Sequence, residues 1–384
     1  MHILILPSWY PNTYSHINGI FFKEQAEALA KHNTKVGVIA LTQVTIQDII
    51  KNKKLTFQKN KHTINNVITY QQDYFIFPKI YRKLTVCKKR RESYFKKLFK
   101  MYILENGLPD VVHLHSFFYG HLAMQIQKEY NIPYVVTEHS STFARGLLSN
   151  SEIKYATDIY ENSEKNIAVS NEFAKLLKEK TKVDFEYVPN IVNVEFFKEK
   201  QHKANAQKIR FINIGYLLPK KNQEMLIRSF SNSFAQEKNV ELLIVGQGSE
   251  HQNLTKLIQD LKLEKQVILY GEASREEIRE LLQASDIFVL SSFYETFGVV
   301  LIEALSCGLP LVSTKCGGPE SIIIDDTIGI LSEINESSLA NDMKYVYDNL
   351  DSYNKVYLQN YVEKNFSEKA ISKKLLHIYS ELVS

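Results

Sequence analysis

The chain has 384 residues, 44% of them apolar and 23% charged, an ordinary globular composition. Its length exceeds what one hydrophobic core commonly supports, so two domains of about 180 residues each are expected. A net charge of +4 is modest, the three cysteines lack any CxxC spacing, and no apolar run approaches the roughly 18 residues needed to cross a bilayer, which argues against a disulfide framework, a zinc site and a membrane span.

The first strand candidate is His2 to Leu6, following directly on Met1 with no basic leader segment, as expected for a cytoplasmic protein in a reducing compartment. Pro7-Ser8-Trp9-Tyr10-Pro11 leaves that strand and runs through Asn18-Gly19-Ile20-Phe21 into a helix over Phe22 to Ala30. Gly19 at this helix start can let a phosphate or an acceptor come close, or can serve the turn alone. Further strands are expected at Lys35 to Leu41 and Val67 to Gln71. Lys79 to Lys100 then carries ten basic residues against one acidic, Glu92, interleaved with Ile80, Tyr81, Leu84, Tyr94, Phe95, Leu98 and Phe99. That pattern suits a helix on an anionic membrane surface, or a lysine-rich helix face in water. No nucleic-acid motif accompanies it, so no nucleic-acid partner is expected.

Val111 to His115 is the next strand. His113 and His115 alternate on it and so share a face, but no acidic or cysteine partner stands at metal-ligand spacing, so no metal is expected. His115, at the carboxyl end, is placed for a polar contact to a ligand, whereas His113 and His121 read more readily as core or cap residues. Glu138 and His139 end the following strand, Pro133 to Thr137, in the same layer. Ile167 to Val169 and Phe185 to Val188 close the first series, and a polar connector, Lys198 to Lys208, follows.

A second series begins with Arg210 to Gly215, then a loop, Tyr216 to Asn222, and a helix from Gln223. Lys221 projects from this loop at the sheet's carboxyl edge, where a fixed cation can stabilise a departing diphosphate. After Glu241 to Gly246, the short Gly246-Gln247-Gly248 lacks the third glycine of a dinucleotide fingerprint and reads as a tight turn. After Val267 to Tyr270, the backbone of Gly271 and Glu272 can meet the edge of a base, or can be a plain loop.

Strand Ile287 to Leu290 leads into Ser291 to Ala304, which sets Glu295 at a strand's carboxyl end and Glu303 about two turns into a helix over Gly298 to Leu305. The amides of Thr296, Phe297, Gly298 and Val299 open that helix toward an anion. Carboxylates for sugar hydroxyls with amides for phosphate are what a nucleotide-sugar needs. Leu311 to Ser313 and the turn Cys316-Gly317-Gly318-Pro319 come next, and the chain is helical and polar beyond Tyr347, with Phe366-Ser367-Glu368 capping a last helix that ends near Leu382. The expected division is an acceptor-binding domain over 1–195, a nucleotide-sugar-binding domain over 205–365, and a C-terminal helix over 366–384 that can cross back to the first.

Together these motifs resemble the retaining glycosyltransferases of family 4. The resemblance runs from Ser8-Trp9-Tyr10-Pro11 with Gly19-Ile20-Phe21 to Phe366-Ser367, and its core is the Glu295/Glu303 pair separated by seven residues, followed by Gly308-Leu309-Pro310-Leu311-Val312 and Gly317-Gly318. It implies an α/β GT-B fold, two facing Rossmann-like doubly wound parallel-sheet domains with a deep interdomain cleft. It further implies that Glu295 holds the donor-sugar hydroxyls, Glu303 the ribose hydroxyls, Lys221 the diphosphate, and His115 the reacting sugar, with Gly19 near the phosphates and Trp9, Tyr10, Glu138 and His139 on the acceptor side. Tyr216 stands where the family often has an arginine, so diphosphate charge must fall to Lys221, helix amides or another residue.

The reaction implied is transfer of a hexose or N-acetylhexosamine from a nucleotide diphosphate sugar, UDP-linked rather than GDP-linked, to a saccharide or lipid-linked acceptor. Bacterial surface polysaccharide synthesis at the inner face of the cytoplasmic membrane is the implied setting. No metal or resident cofactor is expected. A nucleotide-sugar epimerase and a non-catalytic sugar-nucleotide-binding protein are the alternatives. A glycosidase fits less well, because two carboxylates must then flank one bond.

Overall fold

Strands covered on both faces read as unbroken apolar runs, and His2–Pro7 (β1) is such a run, buried at every position. The computed structural model describes residues 1–12, 19–44, 59–75, 85–198 and 208–383. They form two units, Met1–Val169 with Ala174–Val188 and Ile371–Ser384, and Ser170–Phe173 with Pro189–Ala370.

The first unit is built on an eight-stranded sheet. After β1 come β2 (Lys35–Val44), β3 (Lys59–Ile64), β4 (Val67–Phe75), β5 (Val111–His115), β6 (Tyr134–Glu138), β7 (Lys165–Ala168) and β8 (Glu186–Tyr187). Their spatial order is β3-β4-β2-β1-β5-β6-β7-β8, parallel throughout except for the β3–β4 hairpin. The chain first winds from β1 out through β2 to β4, then returns to lay β5 on the other side of β1, with Pro7 opposite His115. That reversal is the switch point where doubly wound sheets hold ligands, off the strands' carboxyl ends.

The second unit repeats the scheme with six parallel strands: β9 (Ile209–Ile214), β10 (Val240–Val245), β11 (Val267–Gly271), β12 (Ile287–Leu290), β13 (Leu311–Thr314) and β14 (Gly329–Ser332). The order is β11-β10-β9-β12-β13-β14, with Phe211 opposite Ile287 and Ile212 opposite Phe288. The switch point therefore lies between β9 and β12. Helix Gln223–Phe234 packs Phe230 and Phe234 on Phe211 with ring centroids 6.2 and 5.1 Å apart, and burial of such aromatics contributes most to a core of this kind.

The expected strands are all present within a residue or a few at their ends. Two strands lie outside that expectation. β3 is an antiparallel edge strand joined to β4 by Asn65-Asn66, both with positive φ, the backbone of a two-residue hairpin turn. β14 is a four-residue edge strand, short enough to read as loop.

The basic segment is helical over Thr85–Asn106, and Lys79 to Leu84 lie outside the described residues. Four of its apolar residues are not free for a bilayer: Phe95, Leu98, Phe99 and Tyr102 are buried in the first unit. The protein's own core thus takes that part of the apolar stripe, and Arg90, Lys96, Lys97 and Lys100 are exposed, together with Leu104 near the end of the helix. Among the described residues no helix is long and apolar enough to cross a membrane.

The last helix, Glu368–Val383, starts in the second unit and from Ile371 belongs to the first. Ile371, Leu375, Ile378 and Tyr379 form its buried stripe, the helical spacing of a face laid on a core. Tyr379 Oη is 2.5 Å from His113 Nδ1, while His113 Nε2 is 2.7 Å from Thr137 Oγ1. His113 is therefore a satisfied core histidine, and burial lowers its pKa to about 3. Tyr379→Phe leaves a buried ring nitrogen without its partner, and should lower unfolding stability by about 1–3 kcal/mol. Urea unfolding followed through Trp9, the single tryptophan and a member of the same unit, reads this directly.

Candidate active site

Two loops leave the switch point of the second sheet, one from β9 and one from β12, and they are bolted to each other before any ligand arrives. Ser291 Oγ donates to Lys221 O at 2.9 Å, Phe293 N donates to Lys220 O at 2.9 Å, and Thr314 Oγ1 donates to Ser292 O at 2.7 Å. Pro219–Lys221 is a single 3-10 turn, and it aims Lys221 across the gap. Lys221 Nζ lies 2.5 Å from Glu295 Oε1, which also accepts from Ser292 Oγ at 2.8 Å.

Burial works against the Glu295 carboxylate, but the charge and hydrogen bond of Lys221, the Ser292 hydroxyl and the charge of Lys220 outweigh it and hold Glu295 below the usual carboxylate range. Glu295 is thus ionised at neutral pH and its oxygens are acceptors only, suited to sugar hydroxyls. Its amide is already used, donating to Cys316 O at 3.0 Å.

Helix Val299–Ser306 follows, with Gly298 at its N-cap in the left-handed region at φ 94° and no side chain capping its first turn. Leu301 N donates to Gly298 O at 2.9 Å, and this first turn carries the positive end of the helix dipole, which suits an anion. Phe297 turns inward, 1% exposed, with its ring 5.9 Å from that of Phe366, so only its backbone can serve a ligand. Gly318 lies so close beneath that a Cβ there would stand 2.5 Å from Phe297 N.

Glu303 is the fifth residue of the helix, just over one turn in rather than the two expected, since at 3.6 residues per turn even a start at Gly298 places it only about one and a half turns in. It is 5% exposed and forms an ion pair with Arg275 Nη1. Arg275 in turn lies over the ring of Phe197, 4.9 Å from its centroid. Sequence reading missed this arginine. Its signal was Ser274-Arg275-Glu276-Glu277, a capping box that puts Arg275 at the first position of helix Arg275–Gln283.

Gly271 ends β11 at φ 93° with open space on the side a Cβ would occupy, and the Glu272 carboxylate accepts from the Gln247 amide. Tyr216, at the family's arginine position, is 51% exposed. The second cation near Glu295 is instead Lys220.

In the first unit, His115 and His139 share a hydrogen bond, Nδ1 to Nε2, at 3.0 Å. Phe22 closes over both, its centroid 4.6 Å from the His115 ring and 4.9 Å from the His139 ring. Burial and the neighbouring His113 lower His115 well below the ordinary histidine value and His139 to about 3. Both are neutral at physiological pH. His115 Nε2 is buried and has no hydrogen-bond partner among the described residues. Ser116, next in the chain, holds φ 62° and ψ 150°, a conformation costly for any residue but glycine.

Gly19 has φ 79°, and a Cβ there would stand 2.7 Å from Trp9 O; the turn alone requires glycine. Trp9 and Tyr10 line a pocket of the first unit. Glu138 does not face an acceptor. Its Oε2 accepts from Phe117 N at 3.1 Å and Tyr160 Oη at 2.7 Å, and its Oε1 from His139 N at 2.9 Å and Ser140 N at 2.8 Å. It is 0% exposed and serves to fix the loop after β6. A strand-end carboxylate reads alike in sequence whether it points out or in.

Residues 19–196 match the model of glycosyltransferase family 4, and residues 194–362 that of glycosyl transferases group 1. The chain belongs to glycosyltransferase family 4. Among relatives, the GPI3 subunit of phosphatidylinositol N-acetylglucosaminyltransferase from Saccharomyces cerevisiae is 26% identical over 295 residues, covering 73% of this chain and 63% of the relative. This chain thus spans less than two thirds of that relative's length. N-acetyl-alpha-D-glucosaminyl L-malate synthase of Bacillus anthracis is 31% identical over 135 residues, 35% of this chain and 34% of that one. The fold matches that of sucrose-phosphate synthase from Thermosynechococcus elongatus with a TM-score of 0.78 at 19% identity, covering 100% of this chain and 99% of the other. Two Rossmann-like units of the GT-B class are therefore the family fold in this chain.

The Lys221–Glu295 pair has a pH signature. Glu295 titrates below its ordinary 4.5 in the folded chain, so the pair's contribution to stability is complete above that value and is lost as pH falls through the folded value. The stability gap between wild type and Glu295→Gln should be constant near neutrality and close on acidification below about 4.5. A gap that widens in acid contradicts this account of the pair.

Proposed function

We propose that this chain is a retaining, metal-independent glycosyltransferase that moves an N-acetylhexosamine or hexose from a UDP-sugar to a saccharide or lipid-linked acceptor, in surface polysaccharide synthesis. The observation that carries the reading is the Lys221–Glu295 pair, set between the carboxyl ends of neighbouring strands β9 and β12. Glu303 stands on the helix that follows. The two curated relatives are named for N-acetylglucosaminyl transfer, which favours an N-acetylglucosamine donor.

An activated sugar carries its own leaving group, so the protein's task is to position the reactants and stabilise charge. Glu295 would accept hydrogen bonds from donor-sugar hydroxyls. Lys221, Lys220 and the amides at the start of helix Val299–Ser306 would meet the diphosphate as it gains negative charge. Glu303 would hold the ribose hydroxyls, exchanging the hydrogen bond to Arg275 for one to ribose. With no protein nucleophile at the anomeric carbon, front-face attack retains configuration, and the leaving phosphate oxygen takes the acceptor's proton. Neutral His115 would serve as a hydrogen-bond partner, not as a charged acid. Lysine and amide charge on the diphosphate replaces what a metal supplies in other transferases. Among the described residues no three His, Cys, Asp or Glu side chains gather as a metal site.

The test is transfer of labelled sugar from UDP-N-acetylglucosamine to acceptors in a membrane extract, with the product anomer read by NMR. Lys221→Ala or Glu295→Ala should lower kcat by about 10²–10³ in a folded protein, and chelator should leave the rate unchanged. Near-normal turnover in either variant, or an inverted product, defeats the reading.

A further inference from the structure

Beside the carboxyl ends of β1 and β2 the first unit holds a pocket of about 420 Å³, the size of a small-molecule site. Ser8 and Trp9 form its wall from the β1 side, Thr42 and Gln43 from β2, Tyr119 from the turn after β5, and Arg91 from helix Thr85–Asn106. Arg91 is the one charged residue lining it among the described residues.

The guanidinium of Arg91 lies 5.0 Å from the centroid of the Tyr119 ring, and its Nε is buried with no hydrogen-bond partner. No carboxylate pairs with it among the described residues. Adjacent Glu92 is engaged by His121 at 3.4 Å, and Tyr74 and Tyr155, which feel the arginine's charge, are phenols that burial keeps protonated. A half-buried guanidinium that has lost water and gained only a ring face is under-compensated. Its five donors in a planar fork suit a two-oxygen anion. The pocket also adjoins the strand end bearing His115, since Ser8 Oγ donates to His115 O at 2.6 Å.

We propose that this pocket is an anion-recognising acceptor subsite, in which Arg91 grips a phosphate or carboxylate on a hydroxyl-bearing acceptor and Trp9 covers it. Naming the ligand as the acceptor rests on the transferase reading above; the anion site itself does not.

Trp9, the single tryptophan, is a built-in reporter. The full chain is titrated with glycerol 3-phosphate and with glycerol, and in a parallel arm with phosphatidylglycerol or phosphatidylcholine vesicles, while Trp9 emission is followed. Glycerol 3-phosphate or the anionic vesicles should give a saturable change at least about tenfold tighter than the neutral partner. A response to the soluble compound identifies a free anion as sufficient, and a response to vesicles alone identifies a lipid headgroup. Arg91→Gln should weaken the response about tenfold or more, with Arg91→Lys in between. Lys221→Ala should leave it unchanged, which separates this site from the diphosphate site. UDP-induced thermal stabilisation, preserved in Arg91→Gln, shows that the variant is folded. Equal response to charged and neutral compounds, no response in either arm, or an unaltered Arg91→Gln titration overturns the proposal. Loss of UDP stabilisation in wild type with the Trp9 titration intact overturns the transferase reading instead.

Discussion

A lysine and a glutamate held 2.5 Å apart at the top of the second sheet impose a constraint on everything around them. Both are largely withdrawn from solvent, with side-chain exposures of 17% and 13%. Removing either leaves the other charge stranded, which is far costlier than losing a surface pair. Their meeting depends on topology: the residues are far apart in sequence, and only the reversal that lays β12 beside β9 brings their loops together. The serine and threonine bonds around them, from Ser291, Ser292 and Thr314, then remove the freedom that loop residues ordinarily keep. A ligand meets a site that is already arranged, and preorganisation of this kind is where electrostatic catalysis draws its strength.

The second carboxylate, Glu303, follows the same logic with a different partner. Glu303 is nearly buried and has Arg275, itself supported by Phe197. Each carboxylate of the pair is thus held by a cation. The histidines of the first unit use the opposite device. Burial strips His113, His115 and His139 of charge, whereas the second unit holds fixed charge in its ion pairs.

Much of this was legible in the residues. Strands such as Ile287–Leu290 and Val111–His115 were bounded to the residue because apolar runs buried on both faces stop abruptly at polar loop starts, and Lys221, Glu295 and Glu303 stood out by their places after those runs. Edge elements were harder. β3, Lys-Asn-Lys-His-Thr-Ile, carries no apolar run because one side of an edge strand faces water. Arg275 was hidden because an arginine beginning a helix with Glu276 and Glu277 reads as surface until Glu303 is seen beneath it. Glu138 erred in the other direction. Its four donors come from Phe117, His139, Ser140 and Tyr160, and tertiary contacts of that kind leave no local mark. The aromatic residues of the basic helix likewise announced an amphipathic face without saying what would cover it.

The route of the chain between the units carries its own consequence. It passes from one to the other between Val169 and Ser170, Phe173 and Ala174, Val188 and Pro189, and Ala370 and Ile371. Neither half is a continuous stretch of polypeptide. Limited proteolysis at one linker cannot liberate an intact lobe, and a gene cut in two at the midpoint would give an N-terminal fragment missing the Ile371–Ser384 piece of its own core. Reassembly from separately expressed parts therefore requires that terminal helix to be supplied in trans. Ribosomal synthesis likewise leaves the core of the first unit incomplete until helix Glu368–Val383 emerges, although its sheet ends at Tyr187.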